Sequence, residues 1–267
     1  EGGGTAIPRE LAQGLAEAGH EVAVLYASRR LLPGASAWHV VEGRQGPVRL
    51  FEVVNRPAPL VDLEHPEREQ SDALLARRTA ELLERLRPDL LHIHNLAGLG
   101  LSVAAEAARA KIPFLYTPHN YWPLCPRLYL VDAAGRRCEG PDERGERCAA
   151  CLGLPGRAEA LASRARAAVA LLGHAAARQL IVSTRVGELL ARGGFPRDRM
   201  RLLGPTVWLI HLGVNDERQK VPPAIFGANL RAMVELLQTD FGAVPDAIYL
   251  ARPSYDYAPG AAAILRQ

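Results

Sequence analysis

The stretch from Thr117 to Gly153 holds every cysteine of the chain: Cys125, Cys138, Cys148 and Cys151, in the spacing C-x12-C-x9-C-x2-C. The closing C-x2-C pair has the spacing of a zinc knuckle, and four thiolates would satisfy a tetrahedral zinc ion. A metal would also fold a loop rich in glycine, proline and charge, which has little core of its own. Two disulfides would do the same in an oxidising compartment. Free thiols are the third reading, and the spacing alone leaves all three open. The same stretch opens with His119, which closes the apolar run "FLYTPH" and is followed by Asn120, Tyr121 and Trp122. A histidine at the C-terminal end of a strand, backed by an amide and aromatic rings, suits sugar binding. Rings stack on the apolar faces of a sugar, and imidazole bonds a hydroxyl. The plainer reading is a turn histidine beside core aromatics.

Two further sites carry chemistry. His92 and His94 stand two apart in "LLHIHN". Strand alternation puts them on one face, at the end of the strand where open α/β sheets bind ligands. Packing under a helix is the alternative. At the start, Gly2, Gly3 and Gly4 of "EGGGT" precede a helical pattern. Glycines there let backbone N–H groups approach a ligand, and a helix N-terminus favours an anion. A tight turn explains them equally well.

The elements that position these residues follow from apolar periodicity. A helix is predicted over Thr5–Ala18, with Ile7, Leu11 and Leu15 on its inward stripe. Strands are predicted at "EVAVLY", "AWHVVE" and "VRLFEVV", then a long helix over Glu67–Leu86 with Leu75, Leu82, Leu83 and Leu86 inward. Strand "PDLLHIHN", a helix over Leu101–Ala110 and strand "IPFLYTPH" come next. After the cysteine segment the alternation resumes with a helix over Arg157–Leu172, strand "RQLIVST", helix "RVGELLARGG" and strand "RMRLLGP". Strands "TVWLIHLG" and "DAIYLARPS" flank a last helix over Pro223–Leu237. Strand–helix alternation with continuous apolar strands predicts an α/β, Rossmann-like parallel sheet flanked by helices. The cysteine segment, about residues 123–153, reads as an irregular insertion into it, and a short α/β segment ends the chain.

The chain has 267 residues, enough for two domains, and a formal charge of only +3. That balance gives no reason for a nucleic-acid partner. No apolar run is long enough to span a bilayer. The opening lacks methionine and starts on a loop, so it reads as a fragment whose first strand is missing.

The glycine loop, "GHEVAVL", "RPDLLHIHN", "IPFLYTPHNYWPLCP" and "IVSTRVGELLARGGFPRDRMRLL" come in the order of the N-terminal domain of GT-B glycosyltransferases of the glycosyltransferase 4 type. The resemblance covers residues 1–204. It implies an acceptor-binding domain of a cytoplasmic enzyme, with peripheral placement at the inner membrane surface as a further option. Such an enzyme transfers sugar from a nucleotide-sugar to a glycan or lipid-linked acceptor. By resemblance Gly3 and Gly4 line the cleft near the donor phosphates, and His119 reaches donor sugar and acceptor. His94, Asn120 and Tyr121 complete the expected binding set. The donor-binding domain's basic pair and glutamate motif do not follow, so the fragment is expected to be inactive alone. Residues 205–267 instead resemble part of an SGNH (GDSL-type) hydrolase. There "GVND" supplies Gly213 and an oxyanion-hole asparagine, Asn215, without the serine and histidine that hydrolysis needs. An esterase fragment, and a zinc-stabilised binding domain without catalysis, are the competing functional readings.

Overall fold

The computed structural model describes residues 3–59, 61–203, 208–210 and 248–250. The chain divides into two compact units, Glu1–Leu203 and Gly204–Gln267.

The first unit opens with helix α1 (Gly3–Glu17). Its predicted apolar stripe forms but does not face inward: Ile7, Leu11 and Leu15 are 53%, 38% and 40% exposed, whereas Ala12 is buried. Periodicity fixes which residues share a helix face, not what that face meets. Strand β1 (Ala23–Ala27) pairs in parallel with β3 (Val48–Val54). Strand β2 (His39–Gln45) pairs antiparallel with β3, in register from His39↔Val54 to Gln45↔Val48. The turn is Gly46–Pro47, with Gly46 at φ 57°, a conformation that glycine adopts without a Cβ penalty. This hairpin makes the first sheet mixed, in the order β1-β3-β2, where parallel strands were expected throughout.

The predicted long helix divides in two. Pro66–Glu69 is a 3-10 turn, and α2 runs from Ala73 to Leu86. Asp72 makes the break: its Oδ1 accepts from Leu75 N at 2.8 Å, capping α2. Leu75, Leu82 and Leu83 are buried as expected. Strand β4 (Leu91–Ile93), α3 (Ser102–Arg109) and β5 (Phe114–Tyr116) follow. The segment after β5 contains one helix, α4 (Glu146–Leu152), and leads to α5 (Ala158–Ala168). A π turn over Val169–Ala175 extends α5. It frees the carbonyls of Leu172 and Gly173, and the buried Gln179 amide donates to both at 3.0 and 2.8 Å. Strand β6 (Arg178–Ile181), α6 (Thr184–Arg192) and β7 (Met200–Leu202) complete a second sheet, β4-β5-β6-β7. All its pairings are parallel. Its core includes Phe114, Leu101, Leu172 and Leu190.

A buried ion pair roots the segment after β5. Arg164 on α5 and Glu69 on the 3-10 turn have side chains only 1% and 9% exposed, 2.6 Å apart. Trp122 Nε1 donates to Glu69 Oε1 at 2.9 Å, Arg164 donates to Trp122 O at 2.9 Å, and its guanidinium lies over the Trp122 ring. The same turn supports the loop after β4, where Leu101 N donates to Glu69 O at 2.7 Å. Gly100 has to be small there, because a Cβ would come within 2.6 Å of that oxygen.

In the second unit, β8 (Trp208–Ile210) and β9 (Ile248–Leu250) pair in parallel. The helix expected over 223–237 and the "GVND" turn lie outside the described residues.

Candidate functional site

Strands β4 and β5 lie side by side with His92↔Leu115 and Ile93↔Tyr116 in register. Parallel pairing therefore carries the ends of both strands to the same edge, and Thr117 N donates to Ile93 O at 2.8 Å there. His94 leaves β4 and His119 leaves β5 at this edge. His94 Nδ1 and His119 Nε2 are 3.0 Å apart, with the ring planes 27° apart and the centroids separated by 5.2 Å. His92, on the same face as His94, holds its ring centroid 4.0 Å from that of His94. Its Nε2 lies 2.8 Å from the hydroxyl of buried Thr117.

The cluster is uncharged at neutral pH. Burial lowers the pKa of all three rings. For His94 the charges of His92 and His119 add to burial, and the pKa falls to about 3. A neutral imidazole carries one N–H and one lone pair. The edge therefore offers hydrogen-bonding groups suited to hydroxyls rather than a positive charge suited to phosphate.

Asn120 Oδ1 accepts from Trp122 N at 2.9 Å, a local turn bond. Tyr121 holds the following turn through its backbone, with Tyr121 O accepting from Leu124 N and Cys125 N. Trp122 cannot stack on a ligand, because it is buried beneath Arg164 and bonded to Glu69. Beyond His94, the loop at Gly98–Gly100 forms one wall of a cavity of 290 Å³, whose other walls include Trp38, Pro57, Asp62 and Arg68. Gly3 and Gly4 lie in the first turn of α1. Asn215 lies outside the described residues. Thr117 and the Glu69–Arg164 pair were not singled out from sequence. Thr117 sits within the quoted strand end, but the ion pair joins residues far apart in the chain with no local signature.

The expected zinc site gains no support. Among the described residues no group of three or more His, Cys, Asp or Glu side chains is placed to hold a metal ion. The four cysteines are free thiols. Cys148 and Cys151 sit three apart on α4. Burial raises the pKa of Cys125. It pushes Cys148 up to about 12, helped by the neighbouring Cys125, Cys138, Asp142 and Cys151. The C-x2-C spacing is realised as one helical turn, and the four thiols lie close enough for their neighbours to help raise the pKa of Cys125 and Cys148.

The family model for Glycosyltransferase Family 4 matches residues 1–218. The chain belongs to glycosyltransferase family 4. The match extends through Gly213 and Asn215, so "GVND" falls inside the glycosyltransferase region and the hydrolase resemblance gains no support. No curated protein matches the chain. Among solved structures, the S. aureus MnaA–UDP co-structure is similar at 10% identity and TM-score 0.31, over 83% of this chain and 59% of that one. UDP-N-acetylglucosamine 2-epimerase from Rickettsia bellii is similar at 13% identity and TM-score 0.27, over 77% of this chain and 55% of that one. The family 4 chain thus spans under two thirds of the length of either. Among its described residues no helix is long and apolar enough to cross a membrane.

Proposed function

We propose that this chain is the acceptor-binding half of a GT-B glycosyltransferase that moves sugar from a nucleotide-sugar to a glycan or lipid-linked acceptor. One observation carries the reading. In a chain matched by the family 4 model, two adjacent parallel strands bring neutral His94 and His119 into contact at the ligand-binding edge of an α/β sheet. His119 is the reacting-edge side chain, bonding a sugar hydroxyl. The Asn120 amide and the Tyr121 ring extend the contact. The cavity behind Gly98–Gly100 receives a further part of the acceptor, with the Asp62 carboxylate to accept from hydroxyls. Gly3 and Gly4, in the first turn of α1, face the donor phosphates. The enzyme works in the cytoplasm, with peripheral contact at the inner membrane surface for a lipid-linked acceptor.

The test is saturation-transfer NMR on this chain with a panel of oligosaccharides and nucleotide-sugars. Glycan binding is expected, and His119→Ala should weaken it about tenfold, the worth of one well-made hydrogen bond. No sugar transfer and no p-nitrophenyl acetate hydrolysis should accompany it. A chain that binds no glycan, or binds it equally well as His119→Ala, overturns the reading.

A further inference from the structure

The 3.0 Å contact between His94 Nδ1 and His119 Nε2 constrains both rings at once. Two N–H groups facing each other would repel, and two lone pairs would make no bond. One ring must donate and the other accept. Once Nε2 of His119 is committed in this way, the state of its Nδ1 follows. If Nε2 accepts, Nδ1 carries the proton; if Nε2 donates, Nδ1 presents a lone pair.

The geometry points to His94 as a positioning residue: it holds the His119 imidazole in one tautomer and one rotamer, leaving His119 Nδ1 as the atom offered to a ligand. His94 itself is then not a sugar contact through Nδ1, which His119 occupies. Its own ring is held from behind. The His92 ring lies against it at 4.0 Å, and His92 is pinned by the Thr117 hydroxyl at 2.8 Å. Thr117 is fixed in turn by its backbone bond to Ile93 O. The order of support runs from the strand pairing, through Thr117 and His92, to His94 and then His119. Metal-bound histidines are oriented by the same device, a partner on the second ring nitrogen. Here another imidazole serves. Burial keeps His94 neutral, so each ring has one N–H and one lone pair, and the tautomer of His94 sets that of His119.

The functional meaning rests on the reading of His119 as the sugar-contacting residue, but the tautomer does not. The experiment is imidazole ¹⁵N–¹H correlation NMR on the labelled chain at neutral pH, for wild type, His94→Ala and His94→Asn. In wild type, His119 should show one protonated and one unprotonated nitrogen, with a scalar coupling to His94 across the hydrogen bond. In His94→Ala the two His119 nitrogens should move toward a common averaged shift. His94→Asn, whose amide can stand where Nδ1 stood, should restore the resolved pair. Glycan binding should fall about tenfold in His94→Ala and recover in His94→Asn. An averaged His119 in wild type overturns the proposal without any variant having to fold. So does a resolved pair that persists in His94→Ala. A locked tautomer in a chain that binds no glycan upholds the role of His94 and removes only the reading of His119 as the sugar contact.

Discussion

The edge histidines and the cysteines of this chain both stand out in the sequence, yet the fold treats them differently. His94 and His119 are 25 positions apart and meet at 3.0 Å. The four cysteines lie within one segment as free thiols, with no group of three or more candidate ligands among the described residues placed around one point. The histidines stand at the ends of two paired strands, where register fixes each Cα to within a fraction of a residue. The cysteines stand on a segment with one short helix and a series of turns, at Gly135, Gly140, Gly145 and Gly153, each with φ near or above 70°. A sheet edge can therefore preorganise a site without help, whereas the cysteine segment depends on what anchors its root.

That dependence gives the largest expected effect. Arg164→Ala leaves Glu69 buried without its partner, a loss of about 3–5 kcal/mol, and releases Trp122. Thermal unfolding should show a large fall in Tm, and limited proteolysis should cut between Trp122 and Gly153 first. If the segment stays resistant while Tm falls, the ion pair supports the core and not the segment, and the contrast loses its physical basis.

Gly145→Ala tests the segment from its other end. Gly145 has φ 75°, and a Cβ there would run into the backbone oxygen of Ala158 at the start of α5. The substitution should cost about 2–3 kcal/mol. Gly135→Ala, at φ 76° but facing open space, should cost only about 1 kcal/mol. Equal losses at both positions would show that the close approach to α5 does not matter.

Most of the histidine edge was legible in the sequence. Alternation along "LLHIHN" and the apolar run "IPFLYTPH" are local signals, and parallel pairing of sequential strands is the common outcome. The partner of His119, its distance and the part played by Thr117 were not legible, because they depend on register. The split of the predicted 67–86 helix was written locally, in Ser71–Asp72 as a cap. The inward stripe of α1 and the buried place of Trp122 were misjudged for one cause. Both depend on tertiary neighbours, and for Trp122 these are Glu69 and Arg164, 53 and 42 positions away. The C-x2-C spacing fits one helical turn as well as a knuckle, so by itself it does not decide what the thiols do.

Acid should single out the histidine edge. The folded rings have lowered pKa values, His94 near 3, while unfolded histidine titrates near 6.5. Between those values the unfolded chain binds more protons, so stability is full above about pH 6.5 and falls as pH drops. From pH 6.5 to 4.5 the loss should be about 2 kcal/mol, after allowing for the partial exposure of the rings. Carboxylates with lowered pKa, such as Glu52 and Asp142, contribute mainly below that window. Urea unfolding at several pH values should show the slope in wild type and a clearly smaller one in His94→Asn. An unchanged slope would place the titrating group elsewhere.

The cysteines carry the smallest expected effect on stability, and the sharpest means of breaking the contrast. Cys148→Ser replaces one half-buried free thiol and should cost under about 1 kcal/mol. Their chemistry should instead reflect burial. The thiolate is the reactive form, and the Cys148 pKa is pushed up to about 12. At pH 8 very little of it is ionised. A thiol of higher pKa is also the stronger nucleophile once ionised, which recovers part of the loss. Alkylation of Cys148 by iodoacetamide should therefore run on the order of a hundredfold slower than that of an exposed thiol, and should quicken steadily with pH up to the limit of folding. Mass spectrometry of timed samples gives each rate separately. Equimolar zinc separates free thiols, which it should neither protect nor stabilise, from a metal site. If zinc shields all four and raises Tm, and Cys148→Ser abolishes both effects, then the segment rearranges to bind metal. Both regions would then be preorganised sites, one held by strand register and the other by its ion.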